Sequence, residues 1–438
     1  MHSIVRISSF GAVLVLILAL SACRESEPVP SNTRTPYTAP APLLQRAYVW
    51  QRDWNAPVAA SLAEGRDVLD GCVVLGAEIE WRGGSPHAIK PRVDWAALRT
   101  FGKPVSVAMR IAPSSGPFSE TGDITDTLTT TARELVADAQ SAGVSLAEFH
   151  LDFDCPQKKL AGYAHWVRAI RRAVEPVPLV ITTLPSWLPE ADFPILVKEA
   201  GAYVLQVHSI SSPRGDEKTM ICDPVEARQW VAKASKLGLP FEIALPTYRS
   251  VVGYSPEGRL LGVVSDSVRP TWPPGTLLKE YATDPGAMAG LVADWQKQRP
   301  AQCRGLMWYR LPVATDENNW RWPTLRAVIA GRAPTASWKV RVEGTDSLLP
   351  GKSNPADFVL MNDGETEGPP ECSIVARWDG DATPVAEALP GWQVKVEAHQ
   401  ATFFRTVENQ RRLLPGEECA IGWLRLEPAA PLHVETIR

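Results

Sequence analysis

Two hydrophobic rhythms take turns along residues 46–332. Short alternating or continuous apolar runs predict strands: AYVW from 47, CVVLGAEIEW from 72, PVSVAMRIA from 104 and AEFHLDFD from 147. PLVITTLP from 178, AYVLQVHS from 202, PFEIALPTY from 240 and GLMWYRLP from 305 continue the series. Between them, apolar residues recur every three or four positions. Leu128, Ala132, Leu135, Val136 and Ala139 mark a helix over 124–142, and Leu160, Tyr163, Val167, Ile170 and Val174 another over 157–174. Shorter helices fit 55–64, 94–100, 192–200, 224–237, 284–298 and 320–331.

Eight strands each followed by a helix match the order and size of an α/β (β/α)8 TIM-like barrel. A doubly wound open sheet is the competitor, but no GxGxxG follows any strand. Past residue 332 the helical period stops. Alternating runs from 338, 357, 372, 392, 401 and 419, separated by turn-prone residues, predict a small C-terminal β-sandwich over 335–438. The long segment 247–283 contains VVGYSPEGRLLGVVSD from 251, whose Pro-Glu-Gly turn predicts a hairpin over the barrel mouth, as a lid or as decoration.

The strand period of two assigns the inward side chains. In EFHLDFDCP, from 148, it sends His150, Asp152 and Asp154 to the face opposite Phe149, Leu151 and Phe153. The same parity groups Val74, Gly76, Glu78 and Glu80, with Glu80 highest; then Ser106, Ala108 and Arg110; then Gln206 and His208. It also groups Glu242, Ala244, Pro246 and Tyr248; the last strand offers Trp308 and Arg310, or Tyr309 on the other parity. Carboxylates and histidines from different strands therefore converge on the end where barrel active sites sit. A buried ion-pair network, with Glu80 or Asp152 satisfied by Arg110, is the competing account, and Glu242, at the far end, reads as structural.

Composition adds a second signal. Of 16 tryptophans, Trp50, Trp54, Trp81, Trp187, Trp272, Trp308, Trp320 and Trp322 fall on or just after C-terminal ends of barrel strands. Flat aromatic faces stack on sugar C–H faces while carboxylates bind hydroxyls, a pairing suited to glycans. The N-terminus adds export: Arg6 precedes FGAVLVLILAL, from 10, and LSAC, from 20, reads as a lipobox. Residues 1–22 are then a lipoprotein signal peptide, Cys23 the lipidated residue and 23–45 a Pro-rich tether. Arg24 in place of Asp favours the outer membrane in a Gram-negative host. Six other cysteines remain, with no CxxC; the pairs Cys155–Cys222 and Cys372–Cys419 are the disulfide candidates. Net charge of -4 without a long basic block argues against nucleic acid as a partner, and the chain reads as a monomer.

The strings AYVWQRDW (47), HLDFDCP (150), TTLPSWL (182), YVLQVH (203) and IGWLRL (421) together resemble an uncharacterised bacterial family, domain of unknown function three-one-four-two. That resemblance implies an exported bacterial protein and supplies no activity. More loosely, the fourth strand is similar to two glycosidase patterns. Chitinase-type barrels carry DxxDxDxE, which Asp152 and Asp154 match, with Phe149 in place of the first Asp and Pro156 in place of the Glu. Alpha-galactosidase-type barrels carry KYDNC, to which Asp154-Cys155 is similar but one residue shorter.

These readings converge on a carbohydrate-active hydrolase without cofactor or metal. Asp154 is its expected nucleophile or base, Glu80 its acid, and Asp152 the tuner of its neighbour's charge. Arg110, His150, Gln206, His208, Tyr248, Trp50, Trp81, Trp187 and Trp308 are the expected substrate contacts. The alternatives are a glycan-binding envelope protein without catalysis and a metal-dependent hydrolase built on Glu80, Asp152, Asp154 and His208. No HxH, HExxH, GxSxG or phosphate-binding glycine loop occurs.

Overall fold

A computed structural model describes residues 42–209, 220–265, 271–344, 355–409 and 411–437. The signal-peptide segment, Cys23 and most of the tether lie outside them. Parallel strands β1 (Leu44–Val49), β2 (Gly71–Arg82), β4 (Val105–Ile111) and β5 (Leu146–Phe153) form one half of a barrel, with β3 (Ser85–Ile89) hairpinned onto β2. The other half is β6 (Leu179–Thr183), β7 (Gly201–Gln206), β8 (Phe241–Pro246) and β12 (Cys303–Tyr309). Pairing runs β1-β12-β8-β7-β6-β5-β4-β2, and β2 returns to β1, so the sheet closes as a TIM-like barrel. All eight expected strands are present.

Helices α1 (Ala56–Gly65), α2 (Trp95–Phe101), α3 (Asp123–Ser141) and α4 (Leu160–Val174) pack outside, followed by α5 (Phe193–Ala200), α6 (Pro224–Ser235), α7 (Pro285–Lys297) and α8 (Trp322–Ile329). Their starts are chemically marked: Asn55, Asp94, Asp223 and Asp284 each accept a backbone N–H of the first turn. Leu160, Tyr163, Val167, Ile170 and Val174 of α4 are all buried, as their spacing predicts.

Two apolar layers result. Ala47, Val49, Val74, Val107, Phe149, Leu151, Ile181, Leu205, Ile243 and Leu306 face the helices. Tyr48, Trp50, Val73, Leu75, Ala108, Val180, Val204, Ala244 and Met307 fill the barrel interior. Val74 thus faces outward, contrary to the simple parity, because a bulge breaks the β2–β4 register between Leu75 and Ala77. Gly76 sits at the bulge; a Cβ there would lie 2.3 Å from Val107 Cγ2, so a larger residue would collide. Beyond the bulge the parity resets and Glu78 turns towards Arg110. A second shift in β12, between Cys303 and Gly305, puts Met307 and Tyr309 inside and Trp308 outside.

The 247–283 segment is larger than a hairpin. β9 (Arg249–Tyr254) pairs with β10 (Leu260–Val264) on one side and β11 (Leu277–Ala282) on the other. The C-terminal region has two antiparallel four-stranded sheets. One is β13 (Trp338–Glu343), β14 (Ala356–Asn362), β19 (Glu418–Glu427) and β16 (Thr383–Ala388); the other is β17 (Trp392–Glu397), β18 (Gln400–Arg405), β15 (Ser373–Trp378) and β20 (Leu432–Ile437). Sequence pattern missed β16 and β20. Arg249 on β9 clamps this region to the barrel, donating to both carboxylate oxygens of Glu367 at 2.9 and 2.8 Å.

The disulfide expectation is corrected. Cys155 with Cys222, and Cys372 with Cys419, are buried and not bridged. Each packs as a small apolar group in one of the two main cores. Burial pushes the Cys155 and Cys222 thiols up to about 12.

Candidate functional site

A cavity of about 220 Å³ opens at the C-terminal ends of the barrel strands. The wall residues come from seven strands or the loops that follow them. β1 supplies Tyr48 and Trp50, β4 supplies Arg110, β5 supplies Asp152 and Asp154, β6 supplies Thr182, β7 supplies Gln206 and His208, and β12 supplies Tyr309; Tyr248 follows β8.

The carboxylates are held in different electrostatic states. Burial pushes Asp152 up to about 6; the Asp154 and Glu78 charges add to this, while the Thr182 hydrogen bond and Arg110 oppose it. Thr182 Oγ1 donates to Asp152 Oδ1 at 2.6 Å. Asp154 stands at the exposed rim, and desolvation raises it too, against the pull of Arg110. Glu78 is 8% exposed and held by guanidiniums. Arg52 grips it with two bonds of 2.6 and 2.8 Å, and Arg110 adds a third at 3.3 Å.

The opposite wall is aromatic. His208 stacks on Tyr309 with ring centroids 5.8 Å apart and meets Tyr248 edge-on. Burial pushes His208 down to about 4, so it is neutral at pH 7. Its Nδ1 lies 3.5 Å from the Tyr248 hydroxyl, and its Nε2 has no hydrogen-bond partner among the described residues. Tyr48, Trp50 and Tyr309 pack edge-on around the remaining rim, with centroids 5.3–5.8 Å apart.

The expected site residues divide accordingly. Asp152, Asp154, Arg110, Gln206, His208, Tyr248 and Trp50 line one cavity. His150 lies beneath it, fully buried, 3.3 Å from the Tyr48 hydroxyl. Glu80 does not join them: its side chain is 51% exposed beside Arg82 on the β2–β3 hairpin. Trp187 is buried against Tyr163 and Phe193. Trp308 is fully buried on the helix side, donating to Gln45 Oε1 at 2.9 Å, and Trp81 donates to the Ala112 carbonyl at 3.0 Å. These three tryptophans anchor structure rather than face the cavity.

Sequence reasoning passed over Tyr48 and Thr182 as site residues and left Tyr309 as the alternative to Trp308. Tyr48 shares the parity of Trp50, so that signal was present. Among the described residues no group of three or more His, Cys, Asp or Glu is disposed to hold a metal ion. Glu80, one of the four residues considered for that purpose, stands on the outer hairpin.

Fold and site together define a TIM-like barrel with a carboxylate and aromatic cavity at its mouth. Residues 102–314 match the family described as domain of unknown function (DUF3142), the one the strand motifs resemble. That match spans strands β4 to β12, and with them most of the cavity wall. No curated protein matches the chain. Among solved structures, a chitinase from Chromobacterium violaceum aligns at 13% identity and TM-score 0.46, covering 66% of this chain and 98% of that one. The Bacillus cereus spore cortex-lytic enzyme SleL aligns at 11% identity and TM-score 0.47, covering 66% and 74%. A family GH18 chitinase from Chromobacterium violaceum aligns at 10% identity and TM-score 0.42, covering 90% of each.

Proposed function

We propose that this chain is an exported, monomeric lipoprotein, anchored through Cys23 to the cell envelope, whose barrel mouth hydrolyses a glycan. The observation that carries the reading is the pairing, in one cavity, of two carboxyls of raised pKa with an aromatic wall. Sugar hydrolysis needs a proton donor and a second carboxylate on opposite sides of one bond. Asp154 keeps the role of nucleophile or base. The acid role moves from Glu80 to Asp152, whose raised pKa lets it carry a proton near pH 6. Arg110, Gln206, His208 and Tyr248 hold hydroxyls, and Trp50 stacks on a sugar face.

A second reading is glycan binding without cleavage. Glu78, the neighbouring carboxylate, is committed to Arg52 and Arg110, and among the described residues the cavity wall holds no acid besides Asp152 and Asp154. Wild type and Asp154→Asn, both starting after the anchor, decide between the two. Each is incubated with bacterial and plant polysaccharides, and released oligosaccharides are read by mass spectrometry. Cutting by wild type alone supports hydrolysis at this site; equal cutting by both sinks the assignment. Retention of a glycan without cutting favours the binding reading. Mass spectrometry of the mature N-terminus tests acylation of Cys23, and an unmodified or uncleaved terminus removes the anchor from the proposal.

A further inference from the structure

The polar interior below the cavity forms one connected path. Glu148 on β5 accepts from Arg46 at 2.7 Å and from Arg304 at 3.1 Å. Its Oε2 lies 3.2 Å from His150 Nε2. The other ring nitrogen, Nδ1, lies 3.3 Å from the hydroxyl of Tyr48, which lines the cavity with Asp152. The order from barrel floor to cavity is guanidinium, carboxylate, imidazole, phenol.

The chemistry of each link fixes the direction of the protons. Burial works against the Glu148 charge, but the His150 hydrogen bond and the Arg46 and Arg304 charges hold it well below the usual carboxylate range. Glu148 is therefore ionised and only accepts. Burial pushes His150 below its ordinary value, despite Glu148, so the ring is neutral at pH 7. A neutral ring that gives its Nε2 proton to Glu148 has a lone pair on Nδ1. Tyr48 must then donate inward. Its oxygen is left with lone pairs alone to show the cavity.

We propose that Tyr48 is a specificity-determining acceptor of the cavity, with Glu148 and His150 as the positioning residues that draw its proton away from the ligand. The ligand group seated there is a hydrogen-bond donor, a hydroxyl or an amine. This rests on the reading of the mouth as a glycan site. The charged groups around the path are Arg46 on β1, Glu148 and Asp152 on β5, Glu242 on β8 and Arg304 on β12. Ala108 and Val180, the register partners of His150 on β4 and β6, bring no charge.

The test reads the proton directly, using the full chain with its seven histidines labelled with 15N. The His150 signals are identified by their loss in His150→Gln. At pH 7 the expected result is a neutral ring protonated on Nε2, with Nδ1 shifted as a hydrogen-bond acceptor. In Tyr48→Phe, Nδ1 moves to the position of an unbonded nitrogen while Nε2 keeps its proton, and the other histidines stay put, which reports an intact fold. A proton on Nδ1, a doubly protonated ring, or an Nδ1 indifferent to Tyr48→Phe overturns the proposal. Because no glycan is used, failure here is distinct from failure of the hydrolase reading, which leaves these signals unchanged.

Discussion

The two ends of the barrel interior hold the same kinds of side chain and treat them in opposite ways. At the floor, Glu242 is 1% exposed and lies against Arg46, with Arg304 at 3.4 Å. Glu148 adds a second carboxylate and His150 a hydrogen bond, so each floor carboxylate meets two guanidiniums. At the mouth, Asp152 and Asp154 lean on Arg110, which Glu78 already engages, and both carboxyls are raised. Charges that are fully matched specify a structure. Charges left under-matched beside a cavity cost stability and are kept for chemistry.

The largest effect that would test this contrast is at the floor. Glu242→Gln is expected to destabilise by about 3 kcal/mol, because it leaves Arg46 buried with half its compensation. Urea unfolding measures this, and a neutral outcome breaks the contrast at once. A loss of similar size, about 3 kcal/mol, is expected for Trp187→Ala through the cavity it leaves. Trp50→Ala should instead weaken glycan retention more than stability, read by comparing binding with unfolding for both variants.

At the mouth the sign reverses. The folded state holds the Asp152 proton more tightly than the unfolded chain, from the ordinary value of 3.8 up to about 6. Its contribution therefore falls as pH rises through that window and stays low above it. Asp152→Asn should stabilise by as much as about 3 kcal/mol above pH 6, with the gain fading below pH 4. Hydrolysis by wild type, with Asp152 as acid, should decline as pH rises through about 6. The smallest effect is at Glu80→Gln, expected within about 0.5 kcal/mol and silent in activity, since an exposed pair contributes little. Lost cutting in that variant would restore Glu80 to the mechanism.

Much of this architecture was readable in the chain. The strand alternation sent His150 and Asp152 inward and Phe149, Leu151 and Phe153 outward, as found. Glu242 was correctly separated from the mouth. The failures have local physical causes. A bulge at Gly76 reset the parity of β2, so Glu78 turns towards Arg110 while Val74, assigned to the same face, packs outward. The shift near Gly305 decided between Trp308 and Tyr309, which alternation left open. Glu80 was placed by counting along a strand that continues past the barrel rim as a hairpin. Trp81 and Trp187 sit at strand ends as expected, but their rings turn back to a carbonyl and to helix side chains. Position along a strand was legible; rotation at its end was not.

The most direct measurement sets one floor carboxylate against one mouth carboxylate. Glu242→Gln and Asp152→Asn are unfolded in urea beside wild type at pH 7.5, and each is assayed on the same polysaccharides. The account predicts opposite signs: Glu242→Gln less stable than wild type, Asp152→Asn more stable and without cutting. Two losses of stability of similar size would contradict it, by making Asp152 one more structural charge.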